Sequence, residues 1–362
     1  MAMQLKMVRS GSLKLFCQQS AQRTVGFNIT SACNYSCQYC VQNQQDFQVS
    51  HLPLESITRV IDVCANHGKV TALNFSGGEP TVHPRFYDML SYARARGAWN
   101  LQCTTNGSGG KEYFKKARAI DSRIRHGVSI HFDHYHPENI NTIIEELALF
   151  TGRQTLLILF MPGKIEEVKN IVELAKSAEN IDINITAIFS SAEGKLFYHY
   201  THEEIAFIEN IMGEKLRSNF ADFIDEKGVM YRIFGSSNSF LQDSNIFRYF
   251  VGMNCTTCAR VNKVRSGKIW PILCDFDVFE ERIEPQSLFK YKYLKCNTLF
   301  CVCNGHTLHP KFSEIKWAPV FMGGDPALHV DVVNPQILDK SDIEIRFAGK
   351  RPCFFLKEQA FK

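Results

Sequence analysis

The sequence predicts an α/β fold, a partial (β/α)6 TIM-like barrel followed by a small cysteine-rich α+β domain. Two observations lead to this prediction. Between residues 24 and 215, short β-rich segments alternate with helical segments, which is typical of parallel strands with helices packed outside the sheet. Near residue 215 the alternation stops, and six of the 13 cysteines then fall between residues 255 and 303.

Six short segments rich in apolar and β-branched residues predict the strands of the barrel. They are residues 25–30, 70–75, 100–105, 127–132, 155–160 and 181–189. Apolar residues at helical spacing predict the connecting helices, over residues 54–67, 83–96, 111–120, 140–147 and 165–175, with a sixth over 202–212. In barrels of this kind the chemistry lies at the C-terminal ends of the strands, so the residues after each strand are the first candidates.

Composition excludes several classes of function. The net charge is only +4 and no block of lysine and arginine stands out, so nucleic acid is not expected as a partner. No run of about 18 apolar residues predicts a membrane span, and the N-terminus does not resemble a secretory signal. We therefore expect a cytoplasmic location, where thiols stay reduced and metal ligation is the leading account of the many cysteines.

The same patterns divide the chain into five parts. An N-terminal extension covers residues 1–23, and the predicted barrel covers 24–215. A linker region covers 216–245, and the cysteine-rich domain covers 246–310. Residues 311–362 form a C-terminal extension to which the sequence assigns no role.

Three cysteines, Cys33, Cys37 and Cys40, follow the first predicted strand directly. An iron–sulfur cluster with four irons normally takes four thiolates, so three thiolates leave one iron open for a substrate or cosubstrate. The alternative is a zinc site completed by a distant ligand, although zinc sites more often show two Cys-x2-Cys pairs.

The segment Cys33-x3-Cys37-x2-Cys40, with the aromatic Tyr39 before its last cysteine, resembles the signature of radical S-adenosylmethionine (SAM) enzymes. A Gly-Gly-Glu-Pro motif at residues 77–80 follows the second strand, as in that family, and the resemblance covers about residues 24–190. It implies a [4Fe–4S] cluster with one open iron, fed by a low-potential donor such as flavodoxin or ferredoxin. It also implies reductive cleavage of SAM to a 5′-deoxyadenosyl radical that abstracts a substrate hydrogen.

The resemblance also implies which residues contact SAM. Gly77, Gly78 and Glu79 would hold its amino group, polar residues of the fourth strand would touch its ribose or carboxylate, and the end of the fifth strand would lie near its adenine. The full set of implied SAM-binding residues is Tyr39, Ser76, Gly77, Gly78, Glu79, Thr105, Asn106, Ser129, His131 and Met161. Two simpler interpretations remain. The Asn-Gly pair that begins at Asn106 favours a turn by itself, and a polar side chain in a strand, such as Ser129 or His131, often forms its hydrogen bonds with nearby protein groups.

Candidates for a catalytic residue lie just after the fourth strand. They are His131, Asp133 and His134, close to His136, and they would face the substrate or handle a proton. A separate metal site and ordinary structural hydrogen bonding are the alternatives for this group.

The second group of cysteines resembles the SPASM and twitch extensions of radical SAM enzymes, which carry auxiliary clusters. Its members are Cys255, Cys258, Cys274, Cys296, Cys301 and Cys303. A Ser-Gly pair at residues 266–267 predicts a hairpin between the first two cysteines and the third. We expect one auxiliary [4Fe–4S] cluster, with Cys255, Cys274, Cys301 and Cys303 as the first choice of ligands; a zinc site is the alternative.

The substrate is the least determined part of the prediction. The resemblance favours modification of a peptide, by epimerisation, crosslinking or oxidation, so oxidoreductase, isomerase and lyase types all stay open. A sugar, a nucleoside or another small metabolite is the alternative substrate. A non-enzymatic zinc-binding interaction protein is the alternative from another functional class.

Overall fold

The computed structural model describes residues 23–40, 51–68, 70–97, 99–188 and 197–218 as its continuous parts. Beyond these it describes only short segments, which are residues 5–9, 14–16, 220–224, 230–234, 254–255, 261–265, 268–270, 285–290, 294–295, 311–312, 317–318, 330–331, 336–338, 343–348 and 351–356. The barrel predicted from the sequence therefore lies almost wholly within the described residues.

A parallel sheet forms the centre of the fold, with its strands in chain order. They are β1 (Thr24–Thr30), β2 (Ala72–Gly77), β3 (Asn100–Thr105), β4 (Arg125–His131), β5 (Gln154–Phe160) and β6 (Ile181–Ala187). The helices are α1 (Leu54–His67), α2 (Phe86–Arg96), α3 (Gly110–Ile120), α4 (Pro137–Ala148), α5 (Ile165–Lys176) and α6 (His202–Ser218). This confirms the predicted α/β fold with a partial parallel barrel.

The helices form where the apolar spacing predicts them. In α1, the side chains of Ile57, Val60 and Ile61 are fully buried on one face. This helix ends at Gly68, whose φ of 66° is the left-handed conformation that a glycine adopts without steric cost. Pro137 opens α4 at its first position, where its missing N–H costs no hydrogen bond.

Strand alternation gives the sheet two different faces. The outer face packs against the helices, as in the pair Phe27 and Phe75, whose rings stack 5.1 Å apart beneath Phe86 of α2. The inner face lines the barrel, and it is mainly polar. Its partly buried or exposed members are Asn28, Asn74, Ser76, Gln102, Thr104, Ser129, His131, Leu157, Leu159, Asn184 and Thr186.

The predicted strands agree with the structure within two residues at each end, and β2 is the one among them that is shifted by two residues at both ends. The sequence predicts this strand over residues 70–75, whereas the structure has it over Ala72–Gly77. Pairing with β1 explains the shift, because Thr24 is opposite Ala72 and Thr30 is opposite Gly77. The strand therefore ends at the first glycine of the Gly-Gly-Glu-Pro motif instead of before it.

A hairpin from the cysteine-rich region extends the central sheet. Its strands β7 (Val261–Arg265) and β8 (Lys268–Trp270) pair antiparallel around the predicted turn, and β7 pairs parallel with β1. The sheet order is therefore β8-β7-β1-β2-β3-β4-β5-β6. The sequence predicts this hairpin but not its attachment to the barrel.

Further short strands lie outside the barrel, including two in the N-terminal segment that the sequence alone leaves irregular. They are Leu5–Arg9, Lys14–Phe16, Phe220–Ile224, Met230–Phe234, Asn254–Cys255, Leu294–Lys295, Lys311–Phe312, Trp317–Ala318, Val330–Asp331, Gln336–Leu338, Ile343–Ala348 and Arg351–Leu356. Of the predicted auxiliary ligands, Cys255 has a described backbone only, and Cys258, Cys274, Cys296, Cys301 and Cys303 lie outside the described residues. None of the helices that the structure describes combines the length and apolarity that a bilayer crossing requires.

A buried histidine, His126, lies between the sheet and its helices. The ring of His126 lies among Tyr113, Phe114 and Phe150, and its Nδ1 is 2.9 Å from Gln154 Oε1. Burial lowers its pKa to about 4. Between pH 4 and about 6.5 the unfolded chain therefore binds a proton that the folded chain does not, and stability falls as the pH falls.

We expect this histidine to contribute a pH-dependent loss of about 3 kcal/mol in unfolding free energy between pH 7 and pH 4. Urea unfolding at several pH values measures it. In His126→Phe the loss over this window should be smaller, because the titrating group is gone, although the variant also loses its hydrogen bond to Gln154. If the unfolding free energy of His126→Phe depended on pH in the same way as that of the parent chain, the loss could not be assigned to His126.

Candidate active site

The loop after β1 brings together the three cysteines that the sequence singles out. Cys33 is exposed, Cys37 is buried and Cys40 is half-buried, and all three are free thiols. Burial raises the pKa of Cys33, and the nearby charges of Glu79 and Cys40 raise it further. Burial likewise raises the pKa of Cys37 to about 11, with smaller contributions from Asp133 and the other two thiols. The three thiols thus lie close enough to interact electrostatically.

This donor set fits a cluster better than a single metal ion. A structural zinc ion needs its four ligands around one centre. Among the described side chains, no group of three or more His, Cys, Asp or Glu is arranged for one ion. In a [4Fe–4S] cluster each thiolate binds a different iron, so three sulfurs spread along one short loop suit it.

Two glycines let β2 approach the start of the cysteine loop very closely. Gly78 N donates to Thr30 O at 2.7 Å, and Glu79 N donates to Ala32 O at 2.8 Å. Gly77 has a φ of 148°, and a Cβ atom there would lie 2.3 Å from Thr30 O. A Cβ atom on Gly78 would lie 2.0 Å from Ala32 O. Side chains at either position would therefore push the cysteine loop away from β2.

We expect Gly78→Ala to destabilise the chain by about 1–3 kcal/mol, because its methyl group collides with backbone atoms that have little freedom to move. Denaturant unfolding and iron content after anaerobic reconstitution measure the effect. Gly127→Ala is the matched control, because this strand residue has no atom within 4 Å of the added Cβ. Equal stability of the two variants would show that the close approach is not needed.

The carboxylate of Glu79 joins the ends of β2 and β3. Glu79 is fully buried, and its Oε1 accepts hydrogen bonds from Thr81 N at 3.1 Å, Thr81 Oγ1 at 2.7 Å and Thr105 Oγ1 at 2.7 Å. Its Oε2 accepts from Asn106 N at 2.6 Å. The sequence implies that Glu79 binds the SAM amino group; in the structure four protein donors already surround this carboxylate.

A polar bridge ties the cysteine loop to the turn after β3. Asn106 Nδ2 donates to Asn34 Oδ1 at 2.9 Å, and Asn34 Nδ2 donates to Ser108 Oγ at 2.8 Å. Asn106 Oδ1 in turn accepts from Ser108 N at 2.9 Å. Asn106, a predicted SAM contact, therefore holds the loop in position through its hydrogen bond to Asn34, whereas Thr105, another predicted contact, bonds to Glu79.

His131, at the end of β4, contacts the middle of the cysteine loop. Its Nδ1 lies 3.3 Å from Cys37 Sγ and 3.1 Å from the hydroxyl oxygen of Tyr39, and its ring stacks on Tyr39. Burial lowers the pKa of His131 to about 4, with His134 adding to the effect. The imidazole is therefore neutral near pH 7, and its Nδ1 either donates to the thiol or accepts from Tyr39.

The other residues of the predicted catalytic group lie farther out. His134 stacks on Tyr35 at 4.0 Å between ring centroids, so it closes the outer side of the cysteine loop. Asp133 and His136 are exposed. The structure thus brings His131 and His134 to the loop, and the catalytic role of all three candidates, Asp133 included, stays a prediction.

Aromatic residues after β6 cover the far side of the loop. Tyr39 makes edge contacts with Phe197 and Tyr198, and Met161, which follows β5, packs against the small hydrophobic cluster that contains Tyr39. Burial raises the pKa of Tyr39 well above its usual value. An apolar lid of this kind keeps water from the buried Cys37.

Two predicted SAM residues lie on the inner face of the sheet below the loop. Ser76 Oγ donates to Asn28 Oδ1 at 3.0 Å and to Phe27 O at 3.2 Å. Ser129 is half-buried on the same face as His131, two residues along β4. A small pocket opens at the same edge of the sheet, and the residues that line it include Tyr35, Asn106, Ser108, His131, His134 and Asn139.

Several residues of this site are absent from the sequence prediction. Asn34, Tyr35 and Ser108 belong to it through contacts between loops, which no local pattern reveals. Phe197 and Tyr198 lie in a region without periodicity. The sequence offers one signal for the inner face of the barrel. Asn28 is a polar residue inside an apolar strand, which indicates that the strand has a second face outside the hydrophobic core.

The comparison with protein families agrees with this geometry. Residues 27–189 match the sequence model of the Radical SAM superfamily. Residues 27–189 therefore form a radical SAM domain. This domain implies a [4Fe–4S] cluster and SAM as cofactors, and the loop of Cys33, Cys37 and Cys40 supplies a donor set that fits the cluster.

Curated relatives that match parts of this chain carry names that specify a nucleotide or GTP. An S-adenosylmethionine-dependent nucleotide dehydratase of Selenomonas ruminantium is 38% identical over 84 residues, 23% of this chain and 30% of the relative. A GTP 3′,8-cyclase of Chlorobaculum tepidum is 32% identical over 105 residues, 28% of this chain and 32% of the relative. A probable GTP 3′,8-cyclase of Sulfurisphaera tokodaii is 24% identical over 268 residues, 67% of this chain and 78% of the relative. The chain thus spans about a third of the length of the first two.

Among solved structures, SuiB of Streptococcus suis bound to S-adenosylmethionine aligns with a TM-score of 0.49 at 11% identity. The alignment covers 75% of this chain and 64% of SuiB.

Proposed function

We propose that this enzyme cleaves SAM reductively and abstracts a hydrogen atom from a polar substrate held inside the barrel. One observation carries the proposal: three free thiols lie on a loop that is fixed at the C-terminal edge of the sheet, directly beside Gly77 and Gly78. When bound, the cofactors supply a 5′-deoxyadenosyl radical and methionine, at the cost of one electron from an external donor of the flavodoxin or ferredoxin class.

The chain's own residues position the reaction. Gly77 and Gly78 bring β2 against the loop, because their missing side chains leave room for Thr30 O and Ala32 O. The SAM amino group would bind beside this junction. Asn106 and His131 line the pocket beside the loop, where they would contact SAM. The rest of the set proposed from the sequence lies nearby: Ser76 and Ser129 on the inner face, Tyr39 and Met161 in the apolar lid, and Glu79 and Thr105 at the ends of β2 and β3.

An auxiliary [4Fe–4S] cluster remains part of the proposal. Its ligands would be four of the cysteines between 255 and 303, with Cys255, Cys274, Cys301 and Cys303 preferred. The hairpin of β7 and β8 supports this placement indirectly, because it attaches the neighbouring segment to β1. A cluster there would take up an electron from the substrate radical or anchor the substrate.

The sequence favours a peptide as the substrate. A second candidate is a nucleoside, sugar or other small metabolite. The relatives with the highest sequence similarity reported above favour this second candidate, since their names specify a nucleotide or GTP as the substrate. Their alignments support it only as a class, because two of the three cover about a third of the relative.

Anaerobic purification tests the proposed chemistry. We expect a brown protein that contains about four or eight irons per chain and forms 5′-deoxyadenosine from SAM and dithionite. A colourless protein that contains zinc and leaves SAM intact would instead support a zinc-binding interaction protein.

A further inference from the structure

The hairpin of β7 and β8 adds basic residues to the inner face of the barrel. In β7, Arg265 is opposite Asn28 of β1, and in β8, Lys268 is opposite Arg265. Neighbouring residues in a sheet that are opposite one another project to the same side. Because Asn28 bonds to Ser76 on the inner face, Arg265 and Lys268 belong to that face too.

The burial of the hairpin confirms this orientation. Val264 and Ile269, the alternate residues of the two strands, are buried in the hydrophobic core with 1% and 0% exposure. Arg265 and Lys268 are half-buried on the opposite side. The position two residues before Arg265 is also basic, Lys263, opposite Gly26.

The two cations lie within reach of the reacting end of the barrel. Arg265 is level with Asn28, two residues before β1 ends and the cysteine loop begins, which is a distance of about 7 Å along the strand. Partial burial removes Arg265 from water and lowers its pKa, and a cation with less hydration attracts an anion more strongly.

Neutral polar groups line the barrel beside the cations. Asn74, on β2 opposite Gly26, has a buried Oδ1 without a hydrogen-bond partner in the described part of the chain. A buried acceptor of this kind calls for a donor from a ligand or an ordered water. Ser76 and Gln102 extend the same neutral surface across β2 and β3.

We propose that this surface binds the phosphoryl group of a small phosphorylated substrate. Arg265 and Lys268 bind the phosphate, and Asn28 and Asn74 bind the neutral polar part of the molecule. A phosphate carries up to two negative charges, which matches two adjacent cations, whereas a carboxylate carries one. The chemical conversion of this ligand rests on the proposed function, the radical chemistry, whereas its binding does not.

Calorimetric titration of the anaerobic holoenzyme tests the site with two probes, pyrophosphate and glutarate. We expect pyrophosphate to bind more tightly than glutarate. Arg265→Gln should raise its Kd about tenfold or more, and Lys268→Gln should raise it in the same direction. Arg265→Lys keeps the charge and should restore most of the affinity, which separates a lost contact from a misfolded hairpin.

Arg153→Gln is the matched control, since Arg153 is an exposed arginine that precedes β5 and pairs with Asp182 at the other end of the barrel. Its Kd for pyrophosphate should equal that of the parent. Unchanged affinity in Arg265→Gln, or preference for glutarate, would overturn the phosphate site. Formation of 5′-deoxyadenosine without added ligand is measured in parallel: its absence in the parent chain would overturn the proposed function and leave the binding result standing.

Discussion

Replacing Cys37 with alanine is expected to reduce 5′-deoxyadenosine formation from SAM to the level seen without enzyme. Cys37 is the buried member of the three cysteines, and its Sγ is 3.3 Å from His131 Nδ1. Two thiolates hold a [4Fe–4S] cluster poorly, so we expect a loss of about four irons per chain relative to the parent. Iron analysis and chromatography of the products after reduction with dithionite measure both effects.

Cys64→Ala is the control for this experiment. Cys64 is also a fully buried free thiol, but it lies in α1 among core residues and away from the loop. Its replacement removes one sulfur from the core, so iron content and SAM cleavage should stay close to those of the parent. If Cys37→Ala kept its full iron content and cleaved SAM, the cluster would have to lie elsewhere in the chain.

Local patterns were sufficient to predict the barrel. The helices α1, α3, α4 and α5 show a clear apolar stripe, and β4 alternates between buried and more exposed residues from Arg125 to His131. Both signals depend only on residues near one another in sequence. They also fixed the position of the three cysteines, because a loop that follows the first strand of a parallel barrel lies at its C-terminal edge.

Contacts between distant segments could not be predicted in the same way. The two-residue shift of β2 follows from its register with β1, and the bridge from Asn34 to Asn106 joins residues 72 positions apart. The attachment of β7 to β1 joins segments that are still farther apart in sequence. Each depends on the packed arrangement of the strands, which a single sequence pattern does not encode.

Glu79→Gln is expected to lower the unfolding free energy of the chain in the absence of SAM by about 1–3 kcal/mol. The Glu79 carboxylate accepts backbone N–H groups from Thr81 and Asn106 on different oxygens. A glutamine has one oxygen and one NH2 group, so at least one of these buried donors loses its acceptor. Denaturant unfolding of the SAM-free chain measures the loss.

This measurement separates two roles for Glu79. If the carboxylate served only to bind the SAM amino group, it would be an unfavourable buried charge in the absence of SAM. Glu79→Gln would remove that charge, so the SAM-free variant would be as stable as the parent or more stable. If it fixes the ends of β2 and β3, the SAM-free chain loses stability. SAM then also binds about tenfold or more weakly, because the turn that carries Asn106 shifts relative to the cysteine loop.

Glu146→Gln supplies the comparison, because Glu146 is another buried carboxylate whose Oε2 accepts from Arg118 in the body of α4. Both variants remove a buried negative charge, but only Glu79 connects the strand ends at the cysteine loop. We expect Glu146→Gln to lose stability and keep the SAM affinity of the parent, whereas Glu79→Gln loses both. A Glu79→Gln chain with weaker SAM binding and undiminished stability would favour direct contact between Glu79 and SAM. It would also show that stability does not depend on the four hydrogen bonds that the Glu79 carboxylate accepts.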